Sequence, residues 1–490
     1  MLRQPLDKEG FMPSDRRMFL GAGLGVTAAL ASSASGLSTA GQAVSSEGPP
    51  LPNHVSLDPE VRAAAAHDFG RLIHRQPRGV LKPASGADIA SLIRFAKGQG
   101  VKVAARGQGH SIYGRALVSD GIVLDMSAMN SIRDIKPDRI VVDAGATWKY
   151  LQDATLAQGL TPPVLTNYLG LSVGGTVAVG GIGGASSRHG MQTDNVIALD
   201  VVTGEGNEVS CSAAENPDLF DSVRAGLGQC GIITRATLRL ARAPERIRRF
   251  QLFYRDLPSL AADQRRVLME GRFDQLQGAV LPDGSGGWRY QLDGAVYHGS
   301  GSAPDDKAVL SGLSDERGAA VIADLTYRED ALAFGKFESL LRSKGQWSNP
   351  QPWLLTFLRG SNAERVAADI LAGLKGDAVG PFGRITFYPL LTKAFRTPLV
   401  RLPAEDIVFV FNLIRIPASN DAAAVERMVA ENRTLYDRIR EAGGVLYPVS
   451  AFAMSPFDWE VHFASTWPQL REAKRRYDPG HLLAPGYNVF

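Results

Sequence analysis

The sequence predicts a two-domain protein of mixed helix and strand. Its first half reads as α+β or α/β, and its second as a sheet with flanking helices. Three observations carry this. The chain has 490 residues, whereas single cores stop growing near ~250–300 residues. Strand-like and helix-like runs interleave through the first half, with glycine-rich turns at strand ends. After about Ala243 the texture changes to charged, mixed segments, a hairpin-like turn and two long helical patterns.

The chain opens on a targeting pattern. Ser14-Asp15-Arg16-Arg17-Met18-Phe19-Leu20 fits the twin-arginine export signal, followed by a weakly apolar Gly/Ala stretch and small residues to Ala43. That stretch is too short for a stable membrane anchor. Residues 1–43 are therefore expected to be a signal peptide, with a periplasmic or secreted destination, and 44–74 a linker and N-terminal segment. Gly79-Val80-Leu81-Lys82-Pro83 reads as a strand closed by Pro. Ser85 and Asp88 form a capping-box-like start, and Ile89, Leu92, Ile93 and Ala96 make one apolar helical stripe. Gly98 and Gly100 end it. Val101 and Val103 begin a strand that runs into Arg106-Gly107-Gln108-Gly109-His110-Ser111. Ile122–Leu124, Ile140–Val142 and Val196–Val202 read as strands, and a helix starts near Thr147. Beyond Ala243, the segment from Pro244 to Arg266 is charged and mixed. Turns at 284–288 suggest a meander with Tyr290, Leu292 and Val296 alternating. Helices are expected near Asn362–Leu374 and Asp421–Ala442.

Composition narrows the function. The formal net charge is +3, from 53 Lys+Arg against 50 Asp+Glu, with no long basic run, so nucleic acid is not an expected partner. Two cysteines, Cys211 and Cys230, fit neither a metal site nor a disulfide framework, and the eight histidines are scattered; no metal is expected. The 52 glycines are the outlier, and they cluster as backbone does when it lies close to a ligand.

Two glycine clusters carry the chemistry. Arg106–Ser111 offers side-chain-free backbone whose N–H groups can bind anions, beside a histidine able to act as base, ligand or covalent tether. A tight turn capped by the histidine accounts for the hexapeptide equally well. The second cluster runs from Val173-Gly174-Gly175-Thr176 through Gly180-Gly181-Ile182-Gly183-Gly184 to Arg188-His189-Gly190. Val177, Val179 and Ile182 interleave with it, which suits a loop wrapped on a flat, extended ligand better than a loose surface loop. Gly226–Gly231 spells a dinucleotide fingerprint but precedes a strand where a helix is needed. Gly170-Leu171-Ser172-Val173-Gly174 spells a hydrolase elbow but opens onto more glycines. No phosphate-binding G-K-[ST] loop occurs.

With these pieces in place, the chain resembles the FAD-binding (PCMH-type) flavoproteins of the vanillyl-alcohol-oxidase superfamily, and among them the cytokinin dehydrogenases. The likeness rests on the R-G-x-G-H-S loop at 106–111, on Thr166-Asn167-Tyr168-Leu169 and on Val173–Thr176. It continues through Arg188-His189-Gly190, Val202-Thr203-Gly204, Asp218-Leu219-Phe220, Gly226–Gln229 and Gly231–Thr234. It is thinner after 246, with Pro352-Trp353-Leu354 and Tyr388-Pro389-Leu390 as anchors. It returns at Asp458-Trp459, Tyr477-Asp478-Pro479 and Leu483-Ala484-Pro485-Gly486.

The resemblance implies an α+β fold. A two-part FAD-binding domain would span 75–243, with a substrate domain at 244–450 built on an antiparallel sheet flanked by helices, and a C-terminal segment, 451–490, returning to the first. It implies FAD bonded through its 8α carbon to His110. Ala105, Gly107, Gln108, Gly109 and Ser111 would line the pyrophosphate, with Arg106 and Arg115 beside them. Ser172, Gly174, Gly175, Ala178 and Ile182 would run along the ring and ribityl chain, Ile233 at the adenine, and Tyr487 would close over the flavin. No Cys lies in the second loop, so a single tether is expected, with Cys211 and Cys230 as core residues. The implied activity is FAD-dependent hydride removal from a C–H bond of a small amine or alcohol, with oxygen, a quinone or a dye as electron acceptor. A sugar or secondary-alcohol oxidase of the same fold, or a flavin-binding protein without turnover, are the alternatives. The sequence departs from the family at the T-D-Y-L carboxylate, which is Asn167 here. It also has Arg115 and Tyr487 in place of glutamines and Gln351 in place of His. An amide cannot take a proton at ordinary pH, so Asn167 is expected to position the substrate. Asp324, Glu329 and Tyr388 are the candidates for a replacement base.

Overall fold

The structure, a computed structural model, describes residues 51–490. The expected export signal and the start of the linker lie outside the described residues. Strand β1 (Gly79–Leu81) leads into helix α1 (Gly86–Gln99), and β2 (Val103–Arg106) and β3 (Ile122–Asp125) complete a parallel three-stranded sheet in the order β1-β3-β2. The start of α1 is the expected reciprocal cap: Asp88 N–H donates to Ser85 Oγ at 3.2 Å, and Ser85 N–H to the Asp88 carboxylate at 3.0 Å. The apolar stripe is buried throughout. Gly98 stays inside the helix, and Gly100, at φ 66°, ends it.

A second sheet is antiparallel. It contains β4 (Ile132–Lys136), β5 (Arg139–Asp143), β6 (Val196–Val202), β7 (Glu208–Ser212) and β8 (Ile232–Arg239), in the order β4-β5-β8-β6-β7. Between β5 and β6 the chain forms the short helix α2 (Val173–Val177). The third sheet has eight strands: β9 (Arg246–Tyr254), β10 (Gln275–Pro282), β11 (Trp288–His298), β12 (Val321–Thr326), β13 (Leu354–Arg359), β14 (Arg384–Leu391), β15 (Ile407–Ile414) and β16 (Val445–Leu446). Their order is β12-β9-β11-β10-β14-β15-β13-β16, and every pairing is antiparallel.

Period-two alternation gives this large sheet two unlike faces. Ile385, Phe387, Phe409, Phe411 and Leu413 pack with helices α3 (Leu257–Glu270) and α5 (Ala363–Gly373) into the main core. Arg384, Thr386, Tyr388 and Asn412 point the other way, into the cavity described below. Two further helices flank the sheet, α4 (Phe334–Ser343) and α6 (Ala422–Glu441). The segment from Pro244 to Arg266, which reads as charged and mixed, is β9 and most of α3. The chain end returns to the first sheet: Val103 N–H donates to the Leu482 carbonyl at 2.9 Å, and Ala484 N–H to the Val103 carbonyl at 3.0 Å. No helix among the described residues is long and apolar enough to cross a membrane.

Candidate active site

β2 delivers the chain directly into the first glycine loop. Gly109 adopts φ 63°, a conformation that favours glycine, and the Arg106 guanidinium fills the space a side chain there would need. Asp68 pins the loop by accepting from Gly114 N–H at 2.6 Å and from Ser111 Oγ at 3.0 Å. Phe69 and Gly70 donate their N–H groups to the carbonyls of Gly109 and Ser111. With its carbonyls held this way, the loop turns its donors elsewhere. None of the backbone N–H groups of Gly107–Ser111 has an acceptor among the described residues. Consecutive free N–H groups of this kind form a concavity for an anion.

His110 follows at the end of that concavity. Phe69 stacks on its ring at 3.8 Å with 19° between planes, and the rings of Tyr168 and Trp347 lie at 4.8 and 5.8 Å. Burial, helped by the charge of Arg342, pushes its pKa down to about 3. The imidazole is therefore neutral at physiological pH, and it makes no hydrogen bond to the described chain.

The second loop packs on the first. Ser172 sits just before α2, and its hydroxymethyl group occupies the place where a Gly107 side chain would go. Gly174 approaches Ala144 so closely that its N–H donates to the Ala144 carbonyl at 2.8 Å. Gly181 donates its N–H to the Tyr447 hydroxyl at 3.0 Å. From the far end of the chain, Lys474 Nζ donates to Asp478 at 2.7 Å, and Asp478 accepts from the N–H groups of Leu482 and Leu483. Gln229 joins this cluster by donating to the Ala484 carbonyl at 3.1 Å.

These elements enclose a cavity of about 460 Å³, a size typical of small-molecule sites. Every residue assigned above to the cofactor, from Ala105 to Tyr487, lines it, as do Asn167 and Tyr388. Asn167 presents its amide to the cavity without a hydrogen bond to the described chain. Tyr388 is buried, and burial raises its hydroxyl to about 12. It therefore keeps its proton at neutral pH, a correction to its reading as a replacement base. Asp324 is a second correction. It does not line the cavity but sits on the sheet-edge strand β12, ion-paired with Arg246 and 3.1 Å from His298 Nε2. Burial alone would raise its carboxyl, but the hydrogen bond and charge of Arg246 hold it below its usual range. Glu329 is a third: it lies off the cavity and caps a helix start, accepting from Thr326 N–H at 2.8 Å. The two cysteines are buried, and burial pushes both thiols up to about 12.

The departures from the family pattern have local partners. Arg115 donates to the carbonyls of Tyr487 and Phe452 at 3.2 and 3.1 Å, which ties the first loop to the chain end. Gln351 is buried and accepts from Trp353 Nε1 at 3.2 Å, fixing a ring that lines the cavity. Several lining residues escape a motif-based reading: Phe69, Gln277, Phe334, Trp347, Arg384 and Tyr447. All six lie outside the two glycine clusters and outside the motifs quoted for the resemblance.

Comparison with known proteins defines the class first. Residues 77–212 match the FAD binding domain family, and residues 285–490 match the FAD and cytokinin binding domain of cytokinin dehydrogenase. The chain is 41% identical over 426 residues to an uncharacterised oxidoreductase of the fasciation locus of Rhodococcoides fascians, covering 87% of this chain and 96% of that protein. It is 35% identical over 490 residues to cytokinin dehydrogenase 10 of Oryza sativa subsp. japonica, covering 89% and 88%. In three dimensions it resembles 6-hydroxy-D-nicotine oxidase from Arthrobacter nicotinovorans, with a TM-score of 0.70 at 21% identity, over 90% of this chain and 98% of that one. The chain belongs to the cytokinin dehydrogenase family of FAD-dependent oxidoreductases. Its fold is the two-domain FAD-binding architecture of the vanillyl-alcohol-oxidase type.

Proposed function

We propose that this oxidoreductase holds FAD through one covalent bond, from His110 to the 8α carbon, and oxidises a small amine or alcohol at a C–H bond. When bound, FAD supplies the two-electron acceptor for the hydride, and oxygen or a quinone-like acceptor takes the electrons on. The observation that supports the tether is His110 itself: a neutral, partnerless imidazole at the end of five unpaired backbone N–H groups. Neutral imidazole has the free lone pair that bond formation needs. The N–H groups of Gly107–Ser111 suit a pyrophosphate. Residues 172–182, with Ile233 and Tyr487, complete the cradle.

Toward the substrate, Asn167 offers an amide donor and acceptor for orientation, and Tyr388 a hydroxyl donor. The rings of Phe334, Phe337 and Trp347 exclude water around the reacting C–H bond. The proton that leaves with oxidation passes to a group other than Asn167, through the substrate's own acid–base chemistry or water. On this reading, 75–243 with 451–490 holds the cofactor and 244–450 shapes the substrate side. Residues 1–43 direct twin-arginine export. His110→Ala tests the tether. After denaturing electrophoresis, the wild-type band should fluoresce as flavin and the variant band should not; a fluorescent variant band would refute the assignment.

A further inference from the structure

We propose that the substrate carries a carboxylate, which pairs with Arg384 in the cavity. This rests on the flavoenzyme reading above and names the chemical class of its substrate. Arg384 opens β14 and projects from the cavity face of the large sheet, two residues before Thr386. Among the described residues it makes no hydrogen bond and no ion pair. The other cations at this site are engaged. Arg106 donates to the His67 carbonyl at 2.5 Å, Arg115 to two carbonyls, and Arg342 to Glu338 at 2.7 Å. The one carboxylate acting on Arg384 is Asp293, from beyond ion-pair distance, and Asp293 already accepts from Gln291 Nε2 at 2.7 Å. A half-buried guanidinium that faces the cavity with neither a hydrogen bond nor an ion pair gains from a ligand that supplies a pair of oxygens.

The position of Arg384 relative to His110 adds the shape of that ligand. A run of rings joins the two: His110 to Tyr168 at 4.8 Å, Tyr168 to Phe334 at 5.6 Å, and Phe334 to Phe337 at 5.6 Å. The Arg384 guanidinium lies 5.3 Å from the Phe337 centroid. A flat or apolar body along these rings would leave its charged end at Arg384. One planar guanidinium matches one planar two-oxygen monoanion. A phosphate monoester would bring a second negative charge that no further free cation among the described residues at the site compensates.

The test titrates the flavin-loaded protein with phenylacetate, phenylacetamide and phenyl phosphate, following the flavin absorption band and tryptophan fluorescence. Phenylacetate should bind at least about tenfold more tightly than phenylacetamide. Arg384→Gln should erase the difference, and Arg384→Lys should keep part of it. Equal binding of acid and amide by the wild type, a preference that survives in Arg384→Gln, or tighter binding of phenyl phosphate would overturn the assignment. A protein without flavin colour would sink the functional reading instead. Tryptophan fluorescence would still report on Arg384 in that case, because Trp347 and Trp353 line the cavity.

Discussion

His110 and His462 show how one physical cause serves two ends. Both are enclosed by protein, and burial pushes both pKa values from 6.5 down to about 3. His110 faces the cavity and keeps a free lone pair for chemistry. His462 is packed against Trp459 and Phe463, with Nδ1 unpaired, and its neutrality affects stability alone. Between 6.5 and 3 the unfolded chain binds a proton that the folded chain excludes. Stability from His462 is therefore complete above about pH 6.5 and falls as the pH drops, by at most roughly 1.4 kcal/mol per pH unit. His462→Gln should flatten the loss of unfolding free energy between about pH 6 and pH 4.5 in urea titrations; an unchanged slope would contradict this. Asn167 is the other decisive residue. A carboxylate at a proton-transfer position is worth about a hundredfold or more. Asn167→Asp should raise kcat/KM by at least about tenfold on a panel of amines that carry a carboxylate. No gain with any of them would contradict the placement of residue 167 at the reacting N–H.

The elements differ in how plainly the sequence announces them. The glycine loops are legible because close backbone approach leaves no alternative residue type. Gly107 lies against Ser172, whose Cβ is 2.8 Å from where a Gly107 side chain would start. Gly107→Ala should therefore spread the two loops and deplete bound flavin, and Ser172→Gly in the same chain should restore part of it. Flavin content unchanged in Gly107→Ala, read from absorbance per protein, would contradict this packing. β9 is hidden for the opposite reason. Arg246, Arg248 and Arg249 give it a charged texture, yet each is neutralised across space, by Asp324, Asp306 and Asp330. Those partners lie more than fifty residues away, beyond any local pattern. The same ion pair explains why Asp324 is a poor base. Spacing shows a carboxylate in the substrate half, but not that it sits at the edge of the sheet. α4 shows Phe334, Phe337 and Leu341 at helical intervals, and that face lines the cavity.

Across the whole molecule the site is assembled from distant stretches. β2 and its loop line one side of the cavity, one face of the eight-stranded sheet lines another, and the chain end closes on β2. The Lys474–Asp478 pair, fully enclosed, explains the Tyr477-Asp478-Pro479 motif: the carboxylate shapes the return at Leu482 and Leu483 while Gln229 takes the Ala484 carbonyl. A site made from residues as far apart as Phe69 and Tyr487 is complete only after folding. Replacing Arg16 and Arg17 with Lys should leave flavin-loaded protein inside the cell. Undiminished export in a fractionation assay would contradict a twin-arginine signal. The bond between His110 and the flavin is tested most directly by the visible spectrum of the purified protein before and after acid precipitation. With His110 bonded to the flavin, yellow colour stays in the pellet; a colourless pellet beneath a yellow supernatant would contradict that bond.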